Sequence, residues 1–199
     1  DVPTFIAGGC NTFIDPISMK MEKDDLSRKL GKEVEYPWWD LFGPRIITPM
    51  DVLAGRNDSK VLSDGTCGKG IYSTWKRYKD GVGCGTESMC SIAGFEKGKY
   101  WDSILEYYGQ VDESNYKDLF MEAVTDIMAD KNANRCMTPD KNNHYCFSLS
   151  LFMQNYDVLI FEGSQGLLLD MDCGFYPNVT PSKTGLNGIP KTIFGDSPL

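Results

Sequence analysis

Gln165 stands between Ser164 and Gly166, directly after the apolar run VLIF that ends at Phe161. Gly163 and Gly166 let the backbone turn tightly and let a ligand come close, while the Gln165 amide both donates and accepts hydrogen bonds. Such an amide can read the paired donor and acceptor edge of a purine. An ordinary glycine turn closing a strand fits the same spacing. Farther on, Asp170 and Asp172 are set among leucines, and YPNVTPSKTG supplies the Thr180, Ser182 and Thr184 hydroxyls on a backbone fixed by prolines. That composition can hold a phosphate or a ribose without net positive charge, although Ser and Thr beside proline are also common turn chemistry.

A second cluster, SDGTCGKGIYSTWKRYKDG at residues 63–81, gathers Gly65, Gly68 and Gly70 around Lys69. A nucleoside-triphosphate phosphate loop requires Gly, four residues, Gly, Lys, then Ser or Thr. Here Ser63 occupies the place of the first Gly and Gly70 follows Lys69, so the pattern fails. Backbone N–H groups in such a loop can still cradle an anion. Lys76, Arg77 and Lys79 form the only dense basic stretch. His144 is the sole histidine, which excludes a His-based metal cluster and leaves one residue around which a Ser-His-Asp triad would have to be built. The seven cysteines are scattered, without the close pairing of a disulfide framework or a zinc site, and read as reduced thiols.

Bulk properties narrow the field. With 41% hydrophobic residues, 199 residues suffice for a real core. A net charge of -8 argues against a surface that tracks nucleic-acid phosphates. No run approaches the roughly 18–20 apolar residues of a membrane span, and no basic start precedes an apolar stretch with a small-residue cleavage site. The chain reads as soluble, with no nucleic-acid or membrane partner. It opens at Asp1 within an apolar run, DVPTFIAGG, as a piece of something longer would.

The elements that must position these residues follow from periodicity. Val2 to Ala7 and Arg45 to Thr48 read as short strands, and Tyr156 to Phe161 as the clearest one, apolar throughout like parallel strands covered on both faces. Lys20 to Gly31 reads as a solvated helix and YPWWDLFGP as a proline-bounded aromatic loop. Two further helices carry Trp101, Ile104, Leu105 and Tyr108, then Leu119, Phe120, Ala123, Val124, Ile127 and Met128 on one face, with Ser114 as a cap for the second. KNANRCMTPDKNN reads as a polar connector, and His144 to Gln154 as helix or buried strand. Helices between such strands predict an α/β class, part of a mostly parallel central sheet flanked by helices. Ligand sites in such sheets lie beyond the carboxyl ends of the strands, which is where Gln165 falls.

The run FEGSQGLLLDMDCGFYPNVTPSKT resembles the signature of the adenylosuccinate synthetase family, with Gly166, Leu168, Leu169, Asp170, Asp172, Gly174, Tyr176, Pro177, Val179 and Thr180 in step. ITPMDVLAGRNDSKVLSDGTCGKGI is similar to the family stretch that ends in a Gly-Thr-Thr-Gly-(Arg/Lys)-Gly-Ile loop, and FIAGGCNTFIDP to a segment of the Gly-Asn-Gly-Val-Val type. The resemblance implies a P-loop-NTPase-like fold, of which residues 1–199 are the central part of a single domain. It also implies a two-step ligation in which GTP phosphorylates the 6-oxygen of inosine monophosphate (IMP) and the amine of L-aspartate then displaces the phosphate.

Residue by residue, the resemblance implies that Gln165 meets the IMP base region with Leu169 beside it, and that Thr180 and the loop at Thr66 and Cys67 bind the phosphate. Cys67 stands where the family usually has a second threonine, a weak thiol in place of a good donor. An arginine that reaches the neighbouring subunit's nucleotide would correspond to Lys79 or Arg77, within a cytoplasmic homodimer. The catalytic aspartate loop, the Mg2+ ligand and the catalytic histidine would lie upstream, and guanine recognition and the aspartate loop downstream, leaving no catalytic or metal residue here. Departures at Cys67, Pro181, Lys183 and TGLNGIPK keep open a phage-type 2-aminoadenylosuccinate synthase acting on dGMP. A nucleotide-binding module without catalysis, or a domain whose glycine loops are structural, fit the same residues.

Overall fold

The computed structural model describes residues 5–6, 12–39, 44–57, 68–83, 95, 100–109, 116–130, 156–158, 160, 162–163, 165–170, 172–176, 178–180 and 184–185. The chain divides into two compact units, Asp1–Cys146 and Phe147–Leu199.

The first unit is α/β, with parallel pairing of very short strands. Strand β1 (Phe5–Ile6) pairs with β3 (Trp38–Trp39), Phe5 opposite Trp38; β2 (Phe13–Ile14) pairs with β4 (Arg45–Ile46), Ile14 opposite Ile46. The ladder of the second pair is fixed by Arg45 N donating to Thr12 O at 2.8 Å and Ile47 N to Ile14 O at 2.7 Å. Trp38 and Trp39 therefore belong to a strand, where the sequence reading had a loop. Two adjacent aromatics have strong strand preference once a partner is offered, and the flanking prolines obscured it.

Helix α1 spans Pro16–Leu30, starting four residues before the charged segment that suggested it. Its start is set by Asp15, whose carboxylate accepts from Ile17 N at 3.1 Å and Ser18 N at 3.4 Å, with Pro16 in the first turn. Helices α2 (Pro49–Asn57), α3 (Ile71–Lys79), α4 (Trp101–Tyr108) and α5 (Tyr116–Ala129) follow. Phe120, Ala123, Val124, Ile127 and Met128 of α5 are buried as their spacing predicts, but Leu119, on the flank of that stripe, is exposed. Phe95 and Trp101 close on Phe120 with ring centroids 5.2 and 5.6 Å apart. Tyr36 fills the space beside α5, its hydroxyl donating to Asp126 at 2.7 Å while Lys23 of α1 lies 4.6 Å from its ring.

In the second unit Leu167–Leu169 form one 3-10 turn, and Asp170 bridges Thr180 in parallel. The described residues of the Tyr156 to Phe161 run are not in a strand, and Val158 and Ile160 are 76% and 89% exposed. An apolar run of this kind becomes a buried strand only with neighbours to complete its hydrogen bonds and cover its faces. Among the described residues nothing is laddered to it. Ser114, the connector at residues 131–143, and His144 to Gln154 lie outside the described residues.

Candidate functional site

In the first unit the glycine cluster leads straight into α3. Gly70 caps the helix at φ +78°, and a Cβ there would lie 2.9 Å from Val52 N and 3.0 Å from the Asp51 carbonyl carbon. Only glycine lets the start of α3 approach the backbone of α2 this closely. On the facing side a Cβ at Gly55 would stand 3.2 Å from Ser73 Oγ. Lys69 is exposed between Gly68 and Gly70, while Thr66 and Cys67 lie outside the described residues.

Helix α3 inverts the usual pattern: Ser73, Thr74 and Arg77 are buried, while Ile71, Tyr72 and Trp75 face solvent. Arg77 is fully enclosed. Its Nε and Nη2 donate to Asp51 Oδ1 and Oδ2 at 2.8 and 2.9 Å, Nη2 also to Ile46 O at 2.8 Å, and Nη1 to Val82 O at 3.0 Å. Asp51, equally buried, accepts in addition from Thr48 N at 2.7 Å, Thr48 Oγ1 at 2.8 Å and Tyr108 Oη at 2.7 Å. Burial by itself lowers the tendency of Arg77 to hold its proton, but the Asp51 hydrogen bonds and charge outweigh it and move its pKa up. The same enclosure, then the Asp51 charge, pushes the Tyr108 phenol well above its ordinary value. Arg77, one of two basic residues considered for contact with a neighbouring subunit, is thus committed inside its own unit. Lys79 is exposed, with its ammonium 5.1 Å from the Trp75 ring, and Trp75 stacks on Tyr72 at 6.0 Å.

In the second unit the backbone brings two of the predicted residues side by side. Leu169 N donates to Gly166 O at 3.0 Å, closing the turn that follows Gln165, and Thr180 N donates to Leu169 O at 2.7 Å. Gln165 and Leu169 are exposed, Thr180 half-buried. Glu162, Asp172 and Cys173 also face solvent. Asp170 does not. Its Oδ1 accepts from Asp172 N at 2.9 Å and its Oδ2 from Thr184 N at 2.7 Å. Thr184 Oγ1 is buried without a hydrogen-bond partner. Ser182 and His144 lie outside the described residues.

Two residues of consequence went unassigned in the sequence. Asp51 carried the Thr-x-x-Asp spacing of a helix capping box with Thr48, which marks a helix start but gives no hint of its partner Arg77, remote in the chain. Asp170 also carried a signal, an acid directly after three leucines. Among the described residues no group of three His, Cys, Asp or Glu could hold a metal ion, and no helix is long and apolar enough to cross a membrane.

The adenylosuccinate synthetase family model matches residues 43–194, which include both glycine clusters. Adenylosuccinate synthetase of Pasteurella multocida is 32% identical over 129 residues, 63% of this chain and 28% of the relative. Those of Meyerozyma guilliermondii and Candida glabrata are each 28% identical, over 64% and 69% of this chain and 29% and 31% of the relatives. The matched region thus spans about three tenths of the length of these relatives. No solved structure matches the chain. With the family's extent covering well over half of the 199 residues, the chain belongs to the adenylosuccinate synthetase family.

Proposed function

We propose that the protein is a GTP-dependent carbon-nitrogen ligase that joins IMP and L-aspartate, a step of purine nucleotide biosynthesis, working as a cytoplasmic homodimer. The same reading makes the sheet part of a larger, mostly parallel, P-loop-NTPase-like sheet. Gln165 reads the base edge with its amide, Leu169 lies against the base, and Thr180 donates its hydroxyl to the nucleotide phosphate. In the first unit the loop at Thr66 and Cys67 supplies backbone N–H groups and one hydroxyl to the phosphate, with the Cys67 thiol a weaker donor than a hydroxyl. Lys79 is the cation available for a neighbouring subunit's nucleotide, giving charge without the bidentate fork of arginine. The observation that carries the reading is the bond from Thr180 N to Leu169 O, which sets side by side two residues separated in sequence and assigned to one ligand.

Chemically, transfer of the GTP γ-phosphoryl group to O6 of IMP turns a poor leaving group into phosphate. The aspartate amine then attacks C6, the C–O bond breaks, and phosphate departs with the electron pair. Such a reaction is accelerated mainly by positioning and by neutralising phosphoryl charge, the part a Mg2+ ion supplies in phosphoryl transfer. These segments are assigned to holding the nucleotide. The test is titration of the full-length protein with IMP and with dGMP, together with a GTP-dependent assay for adenylosuccinate. The reading expects IMP to bind more tightly than dGMP and product to require GTP; preference for dGMP would move the assignment to the phage-type reaction.

A further inference from the structure

Asp170 is the one buried charged side chain among the described residues of the second unit. Burial around it is the reverse of what composition suggests: the acid is 3% exposed, while Leu167, Leu168 and Leu169 are 53%, 67% and 42% exposed. A buried carboxylate is unfavourable unless donors satisfy it. Here the donors are backbone amides, Asp172 N at 2.9 Å and Thr184 N at 2.7 Å, one on each carboxylate oxygen. Charge-assisted bonds of this kind are roughly twice as strong as neutral ones.

Their placement gives the carboxylate a task. Asp172 N belongs to the turn that follows Asp170, a turn closed by Gly174 N and Cys173 N donating to Asp170 O at 2.6 and 3.1 Å. Gly174 is held so tightly that a Cβ would clash with Leu168 O and fall 2.8 Å from Asp170 O. Thr184 N belongs to the returning segment, four residues beyond Thr180. The returning segment, running parallel to the one at Leu169–Asp170, is therefore laced to it at two levels, Thr180 N to Leu169 O and Thr184 N to Asp170 Oδ2.

Resting on the function proposed above, we infer that Asp170 is a positioning residue for nucleotide binding: its carboxylate fixes the returning segment so that the Thr180 hydroxyl stands beside Leu169 and the Gln165 turn. It acts through the backbone and does not contact the ligand. The Asp170→Asn variant keeps the volume but offers one oxygen where there were two, so one of the two amides is left facing an NH2 group. In the full-length protein the dissociation constant and KM for IMP rise about tenfold or more, while kcat at saturating IMP and the KM for GTP stay close to wild type. A merely structural role lowers the melting temperature and the amount of active protein and leaves KM for IMP unchanged, which overturns the inference. If wild-type protein binds no IMP, the function proposed above fails instead. Amide exchange followed by NMR then decides the positioning claim without any nucleotide: Thr184 and Asp172 amides are protected in the wild type and lose protection in Asp170→Asn. Should that variant not fold, fast exchange of the Thr184 amide in the wild type contradicts the lacing.

Discussion

Removing the Asp51 carboxylate strands a buried guanidinium in the first unit. Asp51 accepts hydrogen bonds from Thr48 N, Thr48 Oγ1, Tyr108 Oη, and the Arg77 Nε and Nη2 atoms, and neither Asp51 nor Arg77 has any side-chain exposure. In Asp51→Ala the guanidinium stays buried with only the Ile46 and Val82 carbonyls to solvate it. Breaking a buried pair from one side is destabilising by about 3–5 kcal/mol, against a total stability of about 5–15 kcal/mol for a domain. Summing the lost bonds individually would overstate the loss, because Arg77 keeps two of its acceptors. The assay is urea unfolding followed by far-ultraviolet circular dichroism on wild type, Asp51→Ala, Arg77→Met and the double variant. Removing both partners leaves no stranded charge, so the double variant falls short of the sum of the singles by about 1–3 kcal/mol. A loss below about 1 kcal/mol in Asp51→Ala, or strict additivity, would show that the pair is solvated and refute the reasoning.

Gly70→Ala forces a left-handed residue at φ +78° and sets its methyl 2.9 Å from Val52 N; it loses about 2 kcal/mol or more, read as a lower urea midpoint, and weakens IMP binding through the adjoining Thr66 loop, whereas an unchanged midpoint contradicts the close α2–α3 approach. Stability also falls in alkali. Tyr107, pushed up to about 12 by burial and then by its bond to Asp80, and Tyr36 and Tyr108, raised foremost by burial, hold their protons in the folded chain at pH values where the unfolded chain has lost them. Unfolded tyrosine ionises near about pH 10, so the folded state binds more protons above that value and the urea midpoint drops as pH rises from there toward the folded values. A Tyr36→Phe, Tyr108→Phe variant shows a shallower drop, and a midpoint that is level through this range in the wild type counts against the buried phenols.

Legibility in the sequence followed the range of the interactions. The α5 stripe and the turn after Gln165 could be read because periodicity and glycine spacing are local properties. Helix α3 could not, since it buries Ser73, Thr74 and Arg77 and exposes Trp75, and what permits that is Asp51, contributed from α2. The basic run at Lys76, Arg77 and Lys79 looked uniform, yet one member is core and the other two are exposed. Tyr156 to Phe161 has the composition of a buried strand, but composition supplies no partner. Asp170 was visible as an oddity, and its meaning came only with Thr184, fourteen residues on.

The central claim is that the turn from Gln165 through Thr180 seats a purine nucleotide. Calorimetric titration of the full-length protein with IMP, compared among wild type, Thr180→Val and Gln165→Ala, tests it most directly. The account predicts binding in the wild type, a loss of about tenfold or more in each variant, and melting temperatures that stay near the wild-type value. Equal affinity in all three proteins, or a fall in melting temperature with affinity intact, would contradict it and leave the turn a purely structural feature.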